Sequence, residues 1–203
     1  MTKHASGCGS FFVKRLLILG VAAAVVCGGV HAQKSGEAEK GKSDEDKKVE
    51  IRNNAASLLA DLLGDEKNLG KILIIKHPAP GVDKLVKEIA KTAGDEGDEL
   101  EKMANGGKAL NLHAMQLPPG ETATRSAISR TKEHELLFSS GTEFELNLLL
   151  TQTDALEYGS HLARVAAANA ASPEQEKQFH AMDVALDGLW HRVVAAIRGL
   201  HGK

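Results

Sequence analysis

Along most of the chain apolar residues recur at intervals of three and four, the spacing of a helix with one buried face, and no stretch alternates convincingly enough to mark a strand. The first such pattern opens at Val49 with Ala56, Leu59 and Leu63, widened by Leu58 and Leu62. Gly64-Asp65 interrupts it before Leu69, Ile72 and Leu73 resume. This predicts one broken helix or two short ones, ending at His77-Pro78-Ala79-Pro80-Gly81. Val82, Leu85, Val86, Ile89, Ala93, Leu100 and Met103 form the stripe of a second helix that stops at Asn105-Gly106-Gly107. Gly94 and Gly97 weaken its middle by roughly 1 kcal/mol each relative to Ala.

Residues 108–120 read as a connection, closed by Leu117-Pro118-Pro119-Gly120 and followed by a shorter helical stretch over 121–138. Ser140-Gly141-Thr142-Glu143 has the spacing of a capping box, a hydroxyl able to accept from the third backbone N–H and a carboxylate able to reach back, and so predicts a long helix to about Ala170. Ser172-Pro173-Glu174-Gln175 repeats the signal with Pro at the first helical position. The last helix carries Phe179, Met182, Leu186, Leu189, Trp190, Val193, Ile197 and Leu200 as one stripe. Trp190 belongs to the core on this pattern. Helical stripes joined by short Pro/Gly connections predict an all-α, antiparallel, up-and-down four-helix bundle with an extra short N-terminal helix.

The 203-residue length allows one domain. Aromatics at 3% are too few for a sheet sandwich built on aromatic pairs, and Leu, Ala, Glu and Lys favour helices. The N-terminus departs from this picture. Lys3, Lys14 and Arg15 precede an apolar run from Leu16 to Val26 and the small-x-small sequence Val30-His31-Ala32, the layout of a cleavable secretory signal peptide cut after Ala32. That run is too short to cross a hydrocarbon core of roughly 30 Å. Cys27 could carry a lipid, but Val26 stands before it where a small residue is expected.

The predicted organisation is a leader over 1–32, a charged disordered tether over 33–48 (QKSGEAEKGKSDEDKK) and a bundle over 49–203, in the periplasm or secreted. Both cysteines, Cys8 and Cys27, lie in the leader, so the mature chain has no disulfide, thiol nucleophile or thiolate metal site. Cleavage moves the formal charge from −2 to about −5, which argues against nucleic acid as a partner.

Chemistry with a recognisable spacing is missing. No Glu lies three residues before any mature histidine, which excludes both the paired Glu-x-x-His of di-iron bundles and His-Glu-x-x-His zinc sites. The glycine pairs lack a P-loop Lys-Ser/Thr, and no Gly-x-Ser-x-Gly elbow occurs. What remains are polar residues on apolar faces. Glu96 falls in the stripe between Ile89 and Leu100, and Glu145 and Gln152 lie seven apart inside the arc of Phe144, Leu148, Leu149 and Leu156. These three could form an internal polar or metal site. Asp154, Glu157 and His161 share another face at spacings of three and four, which would let carboxylate and imidazole meet one ion. His180, Asp187 and His191 gather away from the last stripe and are expected on a solvated face.

The segment from Pro119 to Leu200 resembles an exported bacterial domain family of unknown function that is classed as ferritin-like and described as predicted outer-membrane or periplasmic proteins. Gly141-Thr142-Glu143-Phe144-Glu145 is similar to that family's Gly-x-x-Phe-Asp helix start and is followed by Asp154-Ala155-Leu156. Val82-Asp83-Lys84-Leu85-Val86 with Ile89-Ala90 looks like its preceding helix. Where members often carry an Asp-His pair, a Tyr after the Phe-Asp element and a later His, this chain has Asp95-Glu96, Leu148 and His161. The resemblance implies a ferritin-like bundle in the cell envelope and no particular reaction. The expectation is a non-enzymatic, cofactor-free bundle acting as an interaction, structural or stress-related component, with an unidentified envelope protein as partner. The alternative is a metal-binding bundle, an oxidoreductase among the options, holding a transition metal through Glu96, Glu145, Asp154, Glu157 and His161.

Overall fold

The computed structural model describes residues 42–106, 110–114 and 117–201. The leader, its cleavage site and Cys27 lie outside these residues, as does the tether up to Gly41. The described chain is all-helical: α1 Asp44–Glu66, a 3-10 helix Leu69–Ile74, α2 Pro80–Gly106, α3 Pro119–Phe138, α4 Gly141–Ala168 and α5 Pro173–His201. No described helix is long and apolar enough to cross a membrane.

Three of the five helices begin on a proline, whose fixed φ suits the first turn and whose missing N–H would find no partner there. α1 starts earlier than its apolar pattern. Asp46 N–H donates to Ser43 Oγ at 3.1 Å and Ser43 N–H donates back to Asp46 Oδ2 at 3.2 Å, closing a capping box. Asp44, Glu45 and Asp46 then sit at the positive end of the helix dipole. The charged stretch 44–48, expected in the tether, is therefore the opening of a helix.

Gly64-Asp65 does not break α1. The helix runs on to Glu66, and Asn68 Nδ2 closes it by donating to the Gly64 carbonyl at 2.8 Å. With 23 residues and a buried set that includes Ala55, Ala56, Leu59, Leu62 and Leu63, α1 is a full member of the core, not the short extra helix expected.

Helix directions follow from pairs of residues that meet. On α1 and α2, Leu63 faces Gly97 and Lys67 faces Gly94. On α1 and α4, Arg52 Nη1 donates to the Asn169 carbonyl just beyond α4, and Gln152 acts on Glu66. On α2 and α5, Arg192 pairs with Glu88 through two hydrogen bonds and Gln178 Nε2 donates to Glu99 at 3.1 Å. On α4 and α5, Arg164 makes a two-pronged contact with the buried Asp183 at 3.1 and 3.0 Å. Each pairing is antiparallel. α1 touches α2 and α4, and α5 touches the same two, while α3 lies against α4.

One apolar core fills the middle, built from Leu59, Leu63, Val86, Ile89, Leu100, Leu148, Leu149, Phe179, Met182 and Val193 among others. Trp190 packs against it as the stripe predicted. α2 and α4 run the same way, so the chain must return between them, and α3 is that return. The connection that leads from α2 towards α3 is pinned to α1 over residues 111–114: Asn111 N–H donates to Asn53 Oδ1 and Ala114 N–H donates to Ser57 Oγ.

The box expected at Ser140 does not form. Ser140 makes no side-chain cap, and Gly141 takes φ 57. Two residues must reverse α3 into α4, and the left-handed glycine that turns the chain removes the right-handed first turn a capping box requires. At α5 the forward half of the motif forms, Gln175 N–H donating to Ser172 Oγ at 3.2 Å, while the Gln175 carboxamide accepts from Ala171 N–H, one residue before the cap, at 2.8 Å.

Candidate functional site

Two of the buried polar groups, Glu66 and Gln152, meet in the α1–α4 seam. Leu59, Leu62, Leu63 and Glu66 fall at three- and four-residue steps on α1, so the face that buries the leucines also buries the Glu66 carboxyl, which is 4% exposed. Gln152 of α4, 0% exposed, is its neighbour. Glu66 Oε2 and both polar atoms of the Gln152 carboxamide lack an aligned hydrogen-bond partner. Burial pushes the Glu66 carboxyl up to about 8; Gln152 works against the shift, and Asp65 beside it adds to it. At neutral pH the carboxyl is therefore protonated, a neutral acid within the bundle.

Glu145, buried on the same helix, serves a different purpose. Its Oε1 accepts from Ala79 N–H at 2.5 Å, a donor that opens α2. This carboxylate is a cap supplied from another helix. Glu96 is half-buried, its carboxyl raised by burial first and then by Asp95 and Glu99. It stands nearly five turns along α2 from Ala79, so Glu96 and Glu145 cannot share an ion. The internal site expected from Glu96, Glu145 and Gln152 is not assembled. Gln152 instead meets Glu66, a residue the sequence reading passed over.

Asp154, Glu157 and His161 do come together, lining a shallow depression on α4 with Tyr158. His161 Nδ1 lies 2.9 Å from the Glu157 carbonyl, which can only accept, so Nδ1–H is the donor of this bond. Asp154 is raised by burial and by Glu157, and Lys132 of α3 opposes that. Arg125 of α3 bonds Glu121 at 2.6 Å and stands 5.8 Å from the Tyr158 ring centre. Among the described residues no three His, Cys, Asp or Glu groups converge closely enough to hold a metal ion. His180 and His191 are exposed beside Asp183 and Asp187, on the solvated face expected.

If the shelf holds no ion, the purified full-length chain, analysed for metals without a His tag, is expected to carry well below one transition metal per chain. His161→Ala is expected to shift stability by less than about 0.5 kcal/mol, as an exposed residue should.

A second surface stands out at the bundle end where α3 turns into α4. Ile74 is 78%, Ile75 64% and Phe138 75% exposed, with Leu137 partly so. Lys76 ties the two segments together: its Nζ donates to the Leu137 and Ser139 carbonyls at 2.7 and 2.8 Å and lies 5.5 Å from the Phe144 ring centre. Isolated exposed apolar residues need no explanation, but several large ones on two bridged segments make this end a candidate interaction surface.

Comparison with known proteins adds no relative: no family model, no curated protein and no solved structure matches the chain.

Proposed function

We propose that this chain is an exported, non-enzymatic helical bundle of the cell envelope that works by binding another protein through the apolar end formed by Ile74, Ile75, Leu137 and Phe138. The supporting observation is the exposure of these large apolar side chains on two segments that Lys76 bridges, its Nζ donating to the Leu137 and Ser139 carbonyls. Burying each large side chain against a partner would contribute about 1.5–3 kcal/mol before the costs of association. The export part rests on the leader sequence, and it makes the partner an envelope protein. A ferritin-like arrangement is part of the same proposal, supported by the α1-α2-α5-α4 contacts and by α3 as the return between parallel α2 and α4.

The metal-binding alternative keeps one supporting observation, the shared shelf of Asp154, Glu157 and His161. Glu96 and Glu145 do not add to it.

A photo-crosslinking residue in place of Phe138, in cells producing the full chain, tests the binding reading. Discrete adducts are expected at position 138 and not at the exposed polar position of Lys102. Ile75→Ser combined with Phe138→Ser is expected to abolish binding of the crosslinked partner while stability moves by less than about 1 kcal/mol, because both residues are exposed. Adducts absent at 138, or equal at both positions, would overturn the reading. An adduct of twice the chain mass would identify the partner as a second copy.

A further inference from the structure

We infer that Glu66 and Gln152 form a proton-dependent latch between α1 and α4, a carboxylic acid facing a carboxamide, closed while Glu66 holds its proton and released when the proton leaves.

The three atoms without aligned partners are complementary when taken together. A protonated Glu66 Oε2–H can donate to Gln152 Oε1, and Gln152 Nε2–H can donate to the other carboxyl oxygen, so small side-chain rotations satisfy both groups. An unpaired buried amide or acid costs about 1–3 kcal/mol each, a strong incentive for two neighbours in a dry seam to find one another. Loss of the proton removes the donor to Gln152 Oε1 and sets a carboxylate lone pair against it. Asp65, on the same helix, is the charge that acts on Glu66, and it opposes ionisation. The residue acting from α4 is the neutral Gln152, and among the described residues no charged group from α2 or α4, the helices packed on α1, offsets a Glu66 carboxylate. The ionised state is left with a buried negative charge and one donor, and relaxes by letting water into the seam.

The position of the latch decides what its release would loosen. Glu66 closes α1, and Lys67, Asn68 and the 3-10 helix Leu69–Ile74 follow directly. At the opposite end of the seam Arg52 still reaches the Asn169 carbonyl. Opening is thus confined to the last turns of α1 and the 3-10 helix. Nothing in the latch depends on the binding role proposed above.

Infrared spectroscopy of the full chain across pH reads the proton directly. A protonated-carboxyl band is expected at about pH 6, fading as pH rises past about 8, and missing in Glu66→Gln. Backbone exchange in the last turns of α1, corrected for its intrinsic pH dependence, is expected to rise about tenfold from about pH 6 to 9 in the wild type and not in Glu66→Gln. Gln152→Leu, which keeps the acid and removes its partner, is expected to lower the midpoint of the band, whereas a rise would show that Gln152 favours the carboxylate and would overturn the latch. The latch is wrong if Glu66 gives no protonated band at about pH 6, if exchange ignores its titration, or if the midpoint is indifferent to Gln152.

Discussion

Glu66→Gln is expected to flatten the decline in stability that the wild-type chain shows between about pH 5 and 8, with the two proteins diverging by about 3 kcal/mol over that interval. The sign follows from where the proton sits. The unfolded carboxyl titrates near its ordinary value of 4.5, whereas burial raises the folded one to about 8. Below 4.5 both states hold the proton, and the stabilisation from Glu66 is fully present. Between the two values only the folded state holds it, so each pH unit lowers stability by about 1.4 kcal/mol. Above about 8 both states have lost it, and the contribution is gone.

Glutamine keeps the shape of the neutral acid and does not titrate, which makes the wild-type-minus-variant difference a measure of this residue alone. Urea unfolding at several pH values supplies it. The partly exposed Glu96 and Asp154, also raised, contribute the same slope in both proteins and cancel. Parallel curves for the two proteins would mean that Glu66 is ionised in the folded state and that water already reaches it.

How far the sequence carried the fold can be judged helix by helix. α2 and α5 present one apolar stripe each, and their extents were read closely because period and proline starts agreed. α1 was read as broken because its apolar residues spread around the helix, as they must on an element that contacts both α2 and α4, and because a glycine lay where the spacing changed. Dividing it at Gly64 hid Glu66, although the steps Leu59, Leu62, Leu63 and then residue 66 carried the signal. α3 gave a helix but no place in the bundle. Its place against α4 follows from α2 and α4 running in the same direction, a tertiary fact with no local signature.

The same distinction separates the candidate residues. Asp154, Glu157 and His161 were legible because one helix supplies all three, and helical spacing alone fixes their neighbourhood. Glu96 and Glu145 were grouped by apolar arcs on different helices, which fixes burial but not height along the bundle. Glu145 proved to cap the start of α2 through Ala79, a backbone donor invisible to side-chain patterning. The apolar end combines Ile74 and Ile75 with Phe138, more than sixty residues further on, and what bridges their segments is the Lys76 side chain.

Gly159→Leu is expected to destabilise the chain by about 3 kcal/mol, the upper range for overpacking a dense core. Gly159 sits mid-helix on α4, where glycine costs about 1 kcal/mol against alanine and so needs a packing reason. The reason is the approach of two neighbours: a Cβ there would lie 2.7 Å from Leu62 Cδ2 of α1 and 3.1 Å from Leu186 Cδ1 of α5. Ala155, Gly159 and Ala163, spaced by four, leave α4 a smooth face at this level, and Leu62 fills the space against Ala155. A leucine at 159 would have to displace both side chains at once. Alanine is a finer probe, because the atoms it meets are ends of flexible side chains, and the gain in helix propensity opposes the crowding. In the wild-type background Gly159→Ala is expected to change stability by less than about 1 kcal/mol. With Leu62→Ala removing the nearer contact, the same substitution is expected to be more favourable than in the wild type, by up to about 1 kcal/mol, with Leu186 still pressing on the new Cβ. Denaturant melts of the four proteins in that cycle give the coupling between the two positions. Additive effects would show that Leu62 does not press on Gly159, and that the close pass of α4 between α1 and α5 is looser than these distances imply.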